Sequence, residues 1–268
     1  MKYLTYTMAR LIGICFWLQC CFLLFTQATN AQNIKVMSYN IHHGENIRGQ
    51  IDLREIGRVI KKSGADLVGL QEVDSVCARS NKEDQMKVLA ELTGMYYTFK
   101  KHFDYDGGSY GLGILSKYPF DRTFDERISS YPEGSSKTLV LLVTDIEIAK
   151  GSIVRFATVH FDYREDPTIR LAQSSETLDF FAKNTYPVIL TGDLNAEPNT
   201  REIKGLGSMF TDTDISGKST YPADGPSTKI DYILVSGQHL KKVKKHKVIN
   251  EPVASDHRPV MASIVLKN

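Results

Sequence analysis

Cysteine is scarce: the 268 residues hold four, and three of them (Cys15, Cys20 and Cys21) fall within the first 21. A disulfide scaffold is excluded at this size. Tryptophan occurs once, at Trp17. No apolar run reaches the ~20 residues that a membrane-spanning helix needs; Leu11–Phe25 comes nearest and is interrupted only by Gln19. An excess of one charge is also missing, since 33 Lys+Arg face 31 Asp+Glu for a formal charge of +2. That balance argues against coating nucleic acid by bulk charge. Neither the 19 Gly nor the 9 Pro form repeats, which removes collagen-like and low-complexity readings. A hydrophobic content of 42% with 24% charged residues fits a globular chain long enough to bury a substantial core.

The first 31 residues carry an asymmetry that the totals hide. Lys2 and Arg10 are basic, no acid is present, and the apolar run ends in the small-residue exit Ala28-Thr29-Asn30-Ala31. This order reads as a secretory signal peptide over residues 1–31, cleaved after Ala31. The run is short for an uncleaved anchor. Bulky Trp17, Leu18 and Gln19 before Cys20 and Cys21 disfavour a lipoprotein signal. Without Lys2 and Arg10 the basic count falls to 31, so the mature chain, residues 32–268, is formally neutral and keeps Cys77 as its sole thiol. A packing role is the expectation for Cys77. The implied location is exported: periplasmic, secreted or at the cell surface.

No linker-like stretch divides residues 32–268, which read as one domain. Strands are expected at Ile34–Ile41, Asp66–Val73, Gly113–Ser116, Thr138–Ile148, Ile153–His160, Val188–Thr191, Ile230–Val235 and Pro259–Val265. Helices are expected at Leu53–Ser63, Glu83–Leu92 and Thr168–Lys183. The first has Asp52 as cap, Glu55 in capping-box position and Gly64 as its stop. Many strands follow one another without a helix between, which favours an α/β protein with mixed sheets over strict βαβ alternation. Tyr96–Gly111 is dense in aromatics and ends in a glycine-rich turn. It reads either as an aromatic core strand leading into a hairpin loop or as a cleft rim able to stack on bases or enter a lipid interface.

Polar side chains gather where the apolar runs begin or end. Asn40, Gln71-Glu72, His160 and Asp193-Leu194-Asn195 close four runs, Asp231 opens the next, and Ser255-Asp256-His257 precedes the last. Strand ends are stiff and converge at one edge of a sheet, so such groups can meet in a cleft. Four carboxylates (Glu72, Asp193, Asp231 and Asp256) with no cysteine among them suit a hard divalent cation, Mg²⁺ or Mn²⁺. No zinc-site spacing is present.

The segments SYNI (Ser38–Ile41), GLQEVD (Gly69–Asp74), YGLGILSKYP (Tyr110–Pro119), TVHFD (Thr158–Asp162), TGDLNAEP (Thr191–Pro198), KIDYILVS (Lys229–Ser236) and SDHRPV (Ser255–Val260) together resemble, in order, the endonuclease/exonuclease/phosphatase family. The resemblance spans nearly the whole mature chain. It implies a deoxyribonuclease I-like fold, two mixed β-sheets packed face to face with helices outside. It also implies metal-assisted attack of water on a phosphate ester, with one or two Mg²⁺ or Mn²⁺ ions. Carried over by residue, Glu72 is the principal metal ligand, with Asn40 and Asp256 beside it. Asp193 orients or deprotonates the water, Asn195 holds the phosphate, and Asp231 pairs with His257. His160 assists the phosphate or the leaving oxygen, and Tyr110 either contacts the phosphate or packs beside the glycine turn.

Substrate is less legible. Ala196-Glu197 after the Gly-Asp-Leu-Asn turn, and Ile230-Asp231-Tyr232, depart from the inositol polyphosphate phosphatase pattern. A nucleic acid, a phospholipid head group or a small phosphodiester remains, and export with zero net charge weakens the nuclease option. The lysine-rich segment His239–Val248 is either a polyanion site or an edge strand guarded against aggregation, and the second reading is preferred. A non-catalytic binding protein on the same scaffold has no need of so full a set of polar groups. No protein partner and no membrane span after signal cleavage are expected.

Overall fold

The computed structural model describes residues 33–131 and 138–267. The proposed signal segment, with Trp17 and Cys15, Cys20 and Cys21, lies outside the described residues. Twelve strands are described and form two six-stranded mixed sheets. The first sheet contains β1 (Asn33–Asn40), β2 (Leu67–Ser75), β3 (Tyr96–Tyr105), β4 (Gly108–Ser116), β11 (Leu240–Val248) and β12 (Val260–Leu266), in the order β11-β12-β1-β2-β4-β3. The second contains β5 (Arg122–Ile128), β6 (Leu139–Ala149), β7 (Ser152–His160), β8 (Val188–Asp193), β9 (Phe210–Asp212) and β10 (Asp231–Ser236), in the order β5-β6-β7-β8-β10-β9. One neighbouring pair in each sheet is parallel, β1 with β2 and β7 with β8; the other pairs are antiparallel.

The apolar runs explain the layering. Val36, Leu67 and Ile114 from one sheet meet Leu142, Phe156 and Ile189 from the other in a shared buried cluster. The opposite faces are covered by helices. Helix α1 (Leu53–Ser63) and α2 (Gln85–Thr93) lie on the first sheet through Ile56, Ile60 and Leu89. Helix α3 (Thr168–Phe181) and the short α4 (Arg201–Leu206) lie on the second, through Phe181 and Leu206. The result is the four-layer sandwich expected from the sequence, and Asn33–Lys267 form one compact unit.

Local chemistry accounts for the element ends. Asp52 accepts from the Glu55 amide at 3.0 Å, and Gly64 closes α1 at φ 69°, a left-handed stop that glycine adopts without strain. Asp84 caps α2 through the Lys87 amide, so that helix begins at Gln85 and not Glu83. Helix α3 stops at Phe181, two residues short of the expected end. The charged strand β5 was not foreseen from its sequence; an edge position tolerates its charges. Strand β3 is also an edge, and Tyr96, Tyr97, Phe103 and Tyr105 are exposed. The aromatic segment is therefore a strand and hairpin, but not a core strand. The lysine-rich segment forms β11, an edge strand as preferred. No helix among the described residues is long and apolar enough to cross a membrane.

Candidate active site

Strand register brings the site together. Parallel pairing sets Asn40, the last residue of β1, opposite Gln71 in the middle of β2. In the second sheet it sets His160 opposite Asp193, and Asp193 faces Asp231 at the start of β10. The sheets lock beneath this edge. Gln71 donates through Nε2 to Thr158 Oγ1 at 2.7 Å, and Gly69 leaves the space that Thr158 and Thr191 fill.

Glu72 sits where the β2–β4 register slips, in left-handed backbone at φ 57°. A bulge re-aims a strand side chain, and such strain in a non-glycine residue concentrates at functional sites. Its Oε1 accepts from Asn40 Nδ2 at 2.9 Å, and the same amide donates to Asp193 Oδ2 at 3.0 Å. Asn40 thus joins the two carboxylates, and its own oxygen accepts from the His42 amide. Burial pushes the Glu72 carboxyl up, but the His160 ring, the Asn40 amide and the His257 and His42 rings outweigh it and hold the group below the usual carboxylate range.

Asp193 is buried at the centre. Its Oδ2 lies 3.5 Å from His160 Nε2 and 3.6 Å from His257 Nε2. Burial raises its carboxyl, with the Asp231 charge adding to the rise against the pull of both histidines. Its Oδ1 accepts from the Asn195 backbone amide at 3.0 Å. The Asn195 side chain then donates to Phe161 O at 3.0 Å and approaches His160 Nε2 at 3.1 Å. His257 Nδ1 lies 3.0 Å from Asp231 Oδ2. Burial alone would lower the His257 ring, but the charges and hydrogen bond of Asp231, with Asp193, raise it to about 10. Asp256 neighbours Ser255, whose hydroxyl donates to Asn40 O at 2.8 Å, and Asp256 Oδ1 lies 4.0 Å from His42 Nδ1.

A cavity of about 510 Å³ opens beside these groups. Glu72, His160 and Tyr110 stand on its wall, with His102, Phe103 and Tyr105 from β3, and Tyr131, Tyr163, Arg79 and Arg164 around it. Arg79 forms two 2.8 Å bonds to buried Asp74 and stacks 4.5 Å from the Tyr105 ring centroid. Arg164 pairs with Asp162 and stacks 4.1 Å from the Tyr131 ring centroid. Both arginines are thus neutralised by acids. Tyr110 packs within this aromatic group, 5.5 Å from Phe103 between ring centroids, and burial together with the Glu72 charge raises its hydroxyl well above the usual value. Cys77 is buried, as expected for a packing role.

The sequence reading passed over His42 and His43, which follow Asn40 directly and lie beside Glu72. Two imidazoles immediately after the SYNI segment were the available signal. It also passed over His102 and the Arg79–Asp74 pair.

The profile of the endonuclease/exonuclease/phosphatase family matches residues 37–257. The chain belongs to this family. Its members are divalent-metal-dependent hydrolases of phosphate esters. No curated protein matches the sequence significantly. Among solved structures, an endonuclease/exonuclease/phosphatase from Beutenbergia cavernae DSM 12333 is 20% identical with a TM-score of 0.71, covering 88% of this chain and 72% of that one. A mannosyl-6-phosphatase from Bacteroides thetaiotaomicron VPI-5482 is 19% identical with a TM-score of 0.66, over 87% of this chain and 99% of that one. The human Nocturnin catalytic domain is 19% identical with a TM-score of 0.69, over 88% and 95%. At these identities the likeness establishes the shared fold.

The residues present fit the family's cation. Glu72 is a half-buried carboxylate at the cavity wall, bonded to the Asn40 amide, and among the described residues it has no Lys or Arg ion-pair partner. A partly desolvated carboxylate held below its usual range and lacking a cationic side-chain partner suits a bound metal ion. The Asp193–Asp231–His257 cluster is accounted for differently, since its members already face one another.

Proposed function

We propose that this protein is an exported Mg²⁺- or Mn²⁺-dependent hydrolase of a small phosphate ester, a phosphodiester before a monoester. The observation that carries the reading is Asp193 Oδ2, which lies within 3.6 Å of Asn40, His160 and His257 at once. A carboxylate raised by burial and surrounded by donors has the character of a general base at neutral pH.

Glu72 would hold the cation, with Asp256 and Asn40 as further oxygen donors. When bound, the cation polarises the phosphoryl oxygens and offsets developing charge. Asp193 takes a proton from water as the water attacks phosphorus. Asp231 fixes the His257 ring and keeps it charged, so its Nε2–H faces the Asp193 side of the site. Asn195 and His160 stand where a phosphoryl oxygen and the departing ester oxygen would lie, and a protonated His160 returns a proton to the latter.

The cavity supports a small leaving group. Its volume suits one or two rings, its walls are aromatic, and its two arginines are neutralised by Asp74 and Asp162. The exposed lysines of β11 lie at the opposite edge of the first sheet from β3, whose Phe103 and Tyr105 line the cavity. They are therefore no extension of it. Export is supported by the basic start, the apolar run and the Ala28–Ala31 exit.

A substrate panel tests this reading. Bis-p-nitrophenyl phosphate, nucleotide and sugar phosphate esters, sphingomyelin, DNA and RNA are compared with and without EDTA. Turnover of a small ester that EDTA abolishes is expected. Metal-independent turnover, or turnover of polymeric nucleic acid alone, would overturn it. A mature chain beginning at Gln32 in the exported fraction checks the location.

A further inference from the structure

We propose that His42 and His43 form with Glu72 a second metal site, one that takes a nitrogen-preferring first-row transition ion. The proposal rests on the reading of Glu72 as a metal ligand and goes beyond it. Each of the three residues offers a ligand atom, and these atoms lie within 4.8 Å of one another. A first-row ion with bonds of about 2.0–2.2 Å to imidazole and carboxylate sets tetrahedral donors about 3.4 Å apart. Closing the cluster from within 4.8 Å therefore requires each donor to move by less than about 1 Å.

The ring nitrogens are free for this use. His42 Nδ1 and His43 Nδ1 are both buried atoms without a hydrogen-bond partner. His43 as a residue is only 8% exposed, so its idle nitrogen is shut away from water. A buried polar atom without a partner is costly, and a bound ion would remove that cost. The other nitrogen of His43 already faces a carboxylate, with Nε2 3.5 Å from Glu45 Oε2. A metal-bound histidine commonly directs its second ring nitrogen to a carboxylate in this way, which fixes tautomer and orientation.

The chain holds the pair in an unusual backbone. His42, His43 and Gly44 have φ values of 46°, 43° and 82°, three left-handed residues in succession where L residues are disfavoured. The turn is pinned by Gly44 N–H to Ile41 O and Glu45 N–H to His42 O, each at 2.8 Å. Gln85 also donates its side-chain amide to the His43 carbonyl. Packing therefore maintains a costly arrangement that sets two imidazoles beside Glu72. Two imidazoles and one carboxylate select transition ions over Mg²⁺, which keeps oxygen ligands. Glu72 would be shared between this site and the oxygen-rich one formed with Asn40 and Asp256.

Cobalt(II) is a direct probe. Metal-stripped protein is titrated with Co²⁺, read by visible absorption, and with Mg²⁺, read by calorimetry. His42→Asn and His43→Asn suit the test because asparagine tolerates left-handed backbone. The native chain is expected to show a nitrogen-ligated Co²⁺ spectrum. Each substitution should weaken that Co²⁺ at least tenfold, the double substitution should remove it, and Mg²⁺ should weaken far less. An unaltered spectrum and affinity in the double variant would overturn the proposal. If the variants do not fold, ¹⁵N resonances of the native chain decide it. Two imidazoles shifting with Zn²⁺ but not with Mg²⁺ support the site, and their indifference to Zn²⁺ overturns it. Glu72→Gln separates the two levels. Loss of Mg²⁺ binding in Glu72→Gln with no effect of the histidine changes sinks the second site alone, whereas undiminished Mg²⁺ binding in Glu72→Gln sinks the underlying reading of Glu72.

Discussion

His257 Nδ1 lies 3.0 Å from Asp231 Oδ2, and this contact aims the opposite ring nitrogen at Asp193 Oδ2, 3.6 Å away. The pair fixes both the orientation and the charge of the imidazole. Asp231→Asn keeps the volume but removes the charge. Hydrolysis is expected to fall by about 10²–10⁴-fold, the range of a lost acid–base contribution, while the circular dichroism spectrum and melting cooperativity stay native. Rates on a small phosphodiester within twofold of the parent would refute the assigned role of Asp231.

Metal removal should affect stability as well as rate. A ligand that binds only the folded chain adds about 2.7 kcal/mol at a hundredfold excess over its Kd. For a chain of this size, each kcal/mol moves Tm by about 2–4 °C. EDTA is therefore expected to lower Tm by several degrees and excess Mg²⁺ to restore it. In Glu72→Gln both shifts should shrink together with activity. A Tm insensitive to EDTA in the parent, measured by scanning calorimetry, argues against Glu72 as a ligand.

Tyr163 stands on the cavity wall with 75% of its surface exposed, and the Arg164 guanidinium lies 5.0 Å from its ring centroid. A side chain so exposed contributes little to the core. Tyr163→Ala is expected to leave Tm nearly unchanged and to raise KM for a ring-bearing ester by about tenfold, with kcat within threefold, because it removes binding common to ground and transition states. An equal KM for the parent and the variant would place the leaving group elsewhere.

His102 gives the acid limb of stability a specific source. Its Nδ1 accepts from the buried Val140 amide at 2.9 Å. Burial, reinforced by His160 and Arg127, lowers the ring from its usual value near 6.5 to about 3. Between those values the unfolded chain binds a proton that the folded chain refuses. Stability is therefore full above about pH 6.5 and declines as pH falls towards 3. One such group contributes a slope of at most about 1.4 kcal/mol per pH unit. His102→Gln preserves an acceptor and removes the titration. Urea titrations from pH 6.5 to 4 should show a shallower decline in the variant, and parallel curves would contradict this account.

Strand ends were legible because their polar residues interrupt otherwise apolar runs. That is why Asn40, Glu72, His160, Asp193, Asp231 and Asp256-His257 could be named, whereas the sandwich was expected from the family resemblance. The bulge at Glu72 was not legible, since neither of its sequence neighbours is Gly or Pro; it shows only in the left-handed backbone and the slip of the β2–β4 register. The cavity was hidden for a different reason. Arg79, Phe103, Tyr131 and Arg164 are far apart in the chain and meet only when the edge strand β3 lies beside the loops that follow β2, β5 and β7. Edge strands β5 and β11 carry so many charges that period-2 alternation fades, and only their pairing reveals β5.

Gly69 sets how closely the two sheets approach beneath the site. A Cβ placed on it would lie 2.0 Å from Thr191 Oγ1 and 2.8 Å from Thr158 Oγ1. Both threonines are fully buried, and both hydroxyls are engaged, Thr191 donating to Ala157 O and Thr158 accepting from Gln71. Neither can turn aside without losing a buried hydrogen bond. Gly69→Ala is therefore expected to push β2 away from β7 and β8. Overpacking of this kind costs about 1–3 kcal/mol, or roughly 2–12 °C in Tm at the per-kcal/mol shift used above. The displacement also reaches the catalytic edge, because Gln71 and Glu72 follow within three residues on the same strand. Activity should fall more than the folded fraction accounts for. Thr191→Ser or Thr158→Ser in the same chain should relieve little, since the clashing atoms are the hydroxyls. Thr191→Ala, which removes the nearer one, should recover part of both Tm and rate. A Gly69→Ala protein with parental Tm, measured by calorimetry, would show that the sheets separate more freely than this packing allows.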